Sequence, residues 1–185
     1  MKYRRLLAYI IDVGIVIILL SLLNMVFTNP YKEDLNNLNR SLTNYEISYA
    51  EYMSEYMIVT HNIDKNDIWF NVIGIIVMLI NFTIIPFFSR GQTLGKKIFK
   101  IRIRKIKGEL EIDDLIKRSI IINGMGYMLM VVLLVYILPS IAYFYTIIII
   151  SIIQVLLIIV SGLRIIKRKK GIHDILANTE VCIKK

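Results

Sequence analysis

Cysteine, histidine and acidic side chains are scarce in this chain of 185 residues. A single cysteine, Cys182, rules out an internal disulfide. With only His61 and His173 beside it, no zinc site of ordinary ligand spacing can be assembled. Charged residues make up 20% of the chain, against about a quarter in a typical soluble domain, and the 14 acids fall well short of the 23 bases. A soluble nucleic-acid binder explains the net charge of +9 but not a hydrophobic content of 56% or a mean hydropathy of +0.62, and a disordered basic tail fails for the same reason. The bases also lack an interleaved aromatic stacking platform, so nucleic acid is not an expected partner. Apolar excess and surplus base together describe a membrane protein, in which apolar residues form spans and the bases hold their ends on the cytosolic side.

Two loop segments that resemble chemical motifs fall short of them. In Gly91-Gln92-Thr93-Leu94-Gly95-Lys96-Lys97 only three residues separate the glycines and Lys97 stands where a phosphate loop needs Ser or Thr. His173 and Asp174 are adjacent, and no nucleophile accompanies them at a recognisable spacing. An enzyme is therefore not expected, and neither a cofactor nor a metal is predicted. The basic start followed by an apolar run is not read as a signal peptide, because Asp12 interrupts the run, no small-x-small cleavage site follows, and the run is long enough to span.

Four apolar stretches, 6–27, 68–88, 119–138 and 141–163, each supply roughly the 20 residues that a helix needs to cross a bilayer. Pro139-Ser140 offers a tight turn between the last two. All of the 23 bases except Lys32, Arg40 and Lys65 lie at the start, in the loop 89–118 or in the tail 164–185, whereas the loop 28–67 carries seven acids. The bias of Lys and Arg toward cytoplasmic loops then places both termini and the middle loop inside.

Leu35, Leu38, Leu42, Tyr45, Tyr49, Tyr52 and Tyr56 recur in the outer loop at alternating steps of three and four, a heptad stripe that predicts one external amphipathic helix. Its apolar face needs a cover: the protein itself, the outer leaflet, or a partner protein. Inside, Phe99, Ile101 and Ile103 alternate with Lys100, Arg102 and Arg104. A turn at Lys107-Gly108 and a second alternation over Glu109–Ile112 predict a β-hairpin, and the alternating tail 179–184 is a candidate third strand.

Asp12 is the strongest chemical signal, an ionisable residue about 9 Å inside the first span at helical rise. Unpaired, it costs about 2.5 to 3.5 kcal/mol there. Arg5 lies two turns earlier on the same face, so the two form either a fixed ion pair or a cation- or proton-handling site. Asn81 and Thr83, Asn123, and Gln154 fall at a similar depth in the other spans and predict a polar layer with Asp12, whether as hydrogen-bonded helix glue or as an ion site. Asp174 is expected to clamp the tail to the middle loop through Lys96 or Lys97.

Three segments taken together, Arg5-Leu6-Leu7-Ala8-Tyr9-Ile10-Ile11-Asp12, Gly91-Gln92-Thr93-Leu94-Gly95-Lys96-Lys97, and Gly171-Ile172-His173-Asp174-Ile175-Leu176-Ala177 with Thr179, resemble the RDD family of small multi-pass bacterial membrane proteins. The resemblance equates Arg5, Asp12 and Asp174 with the arginine and two aspartates of the family name, and implies transport, cation/proton exchange included. Asn178 stands where a glycine is usual, and the heptad loop is foreign to the family pattern. The expectation is thus a single all-α integral membrane domain over 1–185, in the bacterial cytoplasmic membrane. It has four transmembrane helices with both ends inside, a basic cytosolic hairpin or three-stranded sheet, and an external amphipathic helix. It is a small-solute or cation transporter with Asp12 at its centre, or else an accessory protein that binds a membrane or secreted partner through its heptad helix. Four spans are few for a transporter, which supports the accessory reading unless the chain forms a homo-oligomer.

Overall fold

The structure, a computed structural model, describes residues 2–167 and 169–184. Arg168 and Lys185, two bases assigned to the tail, lie outside the described residues. The chain is mostly helical. Among the described residues, three helical stretches are long and apolar enough to cross a membrane: Tyr3–Asn24 within α1 (Lys2–Asn24), Ile68–Phe88, and α9 (Ser140–Ile166). Their outward faces stay apolar, with Ile17, Leu22, Ile149, Ile152 and Leu156 all more than half exposed. Water would penalise such surfaces and lipid does not.

The second span is built from α4 (Ile68–Leu79), a single π-helical turn (Ile80–Ile84) and α5 (Ile85–Phe88). Pro86 explains the irregular turn, since it has no N–H to give the carbonyl one turn back and its ring crowds that carbonyl. The π turn aims Asn81, Phe82 and Thr83 inward, where all three are buried.

The stretch 119–138 is not the straight span that its hydropathy predicts. The helix α7 (Ile112–Ile122) ends at Asn123, Gly124 takes a left-handed backbone (φ +77°), and α8 (Met125–Leu134) departs at 80°. A side chain at position 124 would oppose that conformation. The ten residues of α8 reach only about 15 Å, so this pair makes a fourth span only as a broken unit.

The heptad stripe also folds differently. It forms two helices, α2 (Tyr31–Thr43) and α3 (Tyr49–Asn66), rather than one. Tyr45 has a positive φ of 60°, and the Ser48 hydroxyl accepts the Glu51 N–H while the Glu51 carboxylate accepts the Ser48 N–H, a reciprocal cap that starts a new helix. The stripe is turned onto its own hairpin: Leu38 is buried and the Tyr52 hydroxyl donates to Asn39 at 2.9 Å. This hairpin forms the crown of the bundle. There the Tyr56 ring meets Phe144 edge-on, and His61 donates through Nε2 to the Val135 carbonyl (2.7 Å) while Nδ1 accepts from Ser140 (2.8 Å).

At the opposite end, the foot, β1 (Ile101–Lys105) pairs antiparallel with β2 (Thr179–Ile183), Ile103 facing Val181. The tail is therefore the partner of β1, and no hairpin forms between 101–105 and 109–112. Glu109–Ile112 leads instead into α7, whose capping box joins Glu111 to Asp114, with Asp113 and Asp114 in a first turn where the helix dipole favours acids. Ile101, Ile103 and Val181 point inward onto Ala8 and Leu115, while Arg104 on the outer face pairs with Glu180. The short helices α6 (Leu94–Ile98) and α10 (Ile172–Leu176) close the foot.

Candidate functional site at the foot of the bundle

Two carboxylates, those of Asp12 and Asp174, are completely buried at the foot. Asp12 belongs to α1, and the loop after the second span folds back to meet it. Its carboxylate accepts the Thr93 hydroxyl, the Gly95 N–H at 2.8 Å, and the Lys96 ammonium at 3.4 Å. Gly95 is required by close approach: a β-carbon there would lie 2.2 Å from the Ala8 carbonyl oxygen. Gln92 donates to the Ile101 carbonyl at 3.0 Å, and Ile103 N–H donates to the Gly91 carbonyl at 2.7 Å. The segment that superficially suggests a phosphate loop is thus a strap tying α1 to β1.

Asp174, in α10, gathers Arg5 of α1 on one oxygen and Arg118 of α7 on the other. The Gly171 N–H adds a contact at 3.3 Å. Arg118 also donates to the Thr179 hydroxyl, so one guanidinium joins α7, α10 and β2. His173 is buried beside them, its Nδ1 on the Ser161 hydroxyl at 2.7 Å and its Nε2 3.6 Å from Asp174.

The expected partners are therefore exchanged. Arg5 does not pair with Asp12; it spans to Asp174. Asp174 is clamped by Arg5 and Arg118 rather than by Lys96 or Lys97. Lys96 serves Asp12 instead, and Lys97 is exposed. The reason is geometric: the strap brings Lys96 onto Asp12, and α10 brings Asp174 between the two arginines, neither of which is visible in helical spacing.

The polar layer does not assemble around the Asp12 carboxylate. Asn81 donates to the Asp12 backbone carbonyl at 3.3 Å, Thr83 meets the Ser119 hydroxyl at 3.3 Å, and Gln154 donates to the Ile121 carbonyl at 2.7 Å. Asn123 caps α7 at the break. Gln154 thus satisfies a carbonyl at the end of α7, where the α7–α8 break frees it, while Asn81 and Thr83 join neighbouring helices, which is the usual role of polar side chains between buried helices. Among the described residues no cluster of three His, Cys, Asp or Glu groups could hold a metal ion.

Burial moves the ionisable groups unequally. Lys96 is pushed down to about 8 by desolvation, only partly offset by Asp12. His173 falls to about 3, first through burial and then through the neighbouring Arg118, so it is neutral. Burial alone would raise Asp174, but Arg118 and Arg5 hold it well below the carboxylate range. Thr93, Arg118, Ser161 and Thr179 are the members of this network that sequence reasoning missed. Thr93 and Thr179 lie inside the family motifs, whereas Arg118 carries no signal beyond its place at the edge of an apolar run.

A bundle of apolar helices whose foot is sealed by a buried ion network defines a polytopic helical membrane protein. The chain belongs to the RDD family, whose family model matches residues 3–178. The three residues that the resemblance equates with that name lie at the foot, Arg5 against Asp174 and Asp12 against Lys96. No curated protein and no solved structure matches the chain.

Proposed function

We propose that the protein exchanges a small monovalent cation for a proton across the bacterial cytoplasmic membrane, at the Asp12–Lys96 pair. The observation that carries this reading is a completely buried carboxylate facing an ammonium whose proton is loosened to about 8, beside a cavity at the foot. When Lys96 releases its proton, the Asp12 carboxylate keeps its Thr93 and Gly95 donors and faces a vacant cationic position. A cation entering there replaces the ammonium charge for charge. Return of the proton to Lys96 expels it, so one proton moves for each cation. The excess of bases in 89–118 and in the tail supports a cytosolic foot and an external crown. The small number of spans supports a homo-oligomer.

Reconstituted in proteoliposomes, the protein should dissipate a pH difference when a Na+ or K+ gradient is imposed, with a rate that rises as pH passes 8. Asp12→Asn should abolish the exchange. A wild-type protein that moves no protons under either gradient overturns the reading. The accessory-protein reading keeps one support, the exposed Tyr45 and Tyr49 at the tip of the crown, since the Leu38 portion of the stripe is covered by the hairpin itself. Recovery of a specific partner that Tyr45→Ser together with Tyr49→Ser releases would favour it.

A further inference from the structure

A cavity of about 360 Å³ lies at the foot, where α1 begins and α9 ends. This is within the range of small-molecule sites. Arg5, Lys96 and Arg118 line its polar side, and Ile122, Ile158 and Gly162 are part of its apolar wall. The charges around it do not balance. Lys96 is matched by Asp12, but Arg5 and Arg118 share the single carboxylate of Asp174, and His173 is neutral. Among the described residues, one positive charge facing the cavity therefore has no anion. A desolvated cation without a counter-charge is costly, so the site favours an anionic group.

The apolar wall restricts which anion. Free phosphate would leave the isoleucines unsatisfied, whereas an amphiphile fills both halves. Gly162 lies inside the long helix α9, where glycine is disfavoured relative to alanine. A β-carbon there would meet nothing within 4 Å, so glycine keeps that wall open.

We propose that this cavity binds an anionic phospholipid, its phosphate on Arg5 and Arg118 and the start of an acyl chain along Ile122, Ile158 and Gly162. The site sits at the ends of α1 and α9, the level at which headgroups meet helix termini. It would fasten α1, α7 and α9 to one lipid molecule, in the cavity that Lys96 also lines.

The test uses the full chain purified from a mixed bilayer of phosphatidylglycerol and phosphatidylcholine and examined by native mass spectrometry. One phosphatidylglycerol should remain bound, preferred about tenfold over phosphatidylcholine, because both carry the phosphate but only phosphatidylglycerol brings a net negative charge to offset the surplus cation, whereas choline cancels the charge of its own phosphate. Gly162→Leu should lose that lipid while melting as the wild type does in detergent. Gly14→Leu, which also projects into open space but does not line the cavity, should retain it. In a melting assay, phosphatidylglycerol should stabilise the wild type and soluble glycerol phosphate should not. Equal retention of both lipids overturns the proposal, as does retention by Gly162→Leu. Equal stabilisation by glycerol phosphate also overturns it, assigning the site to a free phosphate compound.

Discussion

At the foot of the bundle Asp174 draws in Arg5 and Arg118 across 169 and 56 residues of chain, and the groups that close the network are mostly ionic or bonded to an ion. At the crown, the closing contacts are mostly neutral or aromatic: His61 on Ser140 and Val135, Tyr56 on Phe144, and Tyr143 donating to Asp64 at 2.7 Å. The foot joins the two termini to the middle of the chain, whereas the crown joins a hairpin to the turn between α8 and α9. A buried charge cluster is demanding in a way that the crown is not, because removing one member strands the others without solvent. The foot therefore depends on every partner being present, and the crown tolerates loss.

The largest expected effect breaks this comparison directly. Asp174→Asn leaves two guanidiniums facing a neutral amide and should cost about 3–5 kcal/mol, read as a large fall in thermal stability in detergent. Asp64→Asn at the crown should cost under about 1 kcal/mol, because the amide oxygen still accepts the Tyr143 hydroxyl. Comparable losses at both ends would erase the distinction.

A smaller effect separates the ends by the sign of their response to acid. His173 drops from 6.5 to about 3 on folding, so below pH 6.5 the unfolded chain takes up a proton that the folded chain refuses. Asp174 is likewise lowered from 3.8, so the stability it contributes is present above that value and lost as pH falls through its folded value. Both changes weaken the foot in acid. Asp64 is raised from 3.8, first by its burial, so its contribution is present in acid and lost as pH rises through its folded value. Melting followed from pH 7 to pH 4 should fall less steeply in His173→Gln and more steeply in Asp64→Asn. Slopes that move the other way would mean that the two ends do not differ in this respect.

The smallest expected effect lies at the tip of the crown. Tyr45 is 94% exposed, and Tyr45→Ser should change stability by no more than about 0.5 kcal/mol in the same melting assay. A larger loss would show that the tip is held by something beyond its own hairpin.

Much of the fold was legible because its signals are local. The apolar runs of α1, 68–88 and α9 announce themselves by hydropathy, and the alternation of 101–105 and 179–183 marks both strands. The errors came where a periodic pattern ran through a break. The heptad stripe continues across Asn44–Ser48, but Ser48 and Glu51 form a capping box that a reading by period alone passes over. The apolar run from 119 to 138 continues across Gly124, whose left-handed backbone hydropathy does not register. The false hairpin rested on four alternating residues that also suit a helix start, and the acids Glu111, Asp113 and Asp114 favoured the helix.

The site was legible in its membership and not in its pairings. Asp12 stands out as an acid in an apolar run, and Asp174 and Lys96 lie in recognisable motifs. Residue order alone decided which segments are apolar, where the bases collect and which family the chain resembles, because these are sums over neighbouring residues. Folding alone decided that Arg5 meets Asp174, that Lys96 meets Asp12, and that Arg118 binds the first of these pairs to β2. An ion pair is set by distance in space, and in this bundle that distance is created by the strap 91–97 and by α10, whose positions no helical period encodes.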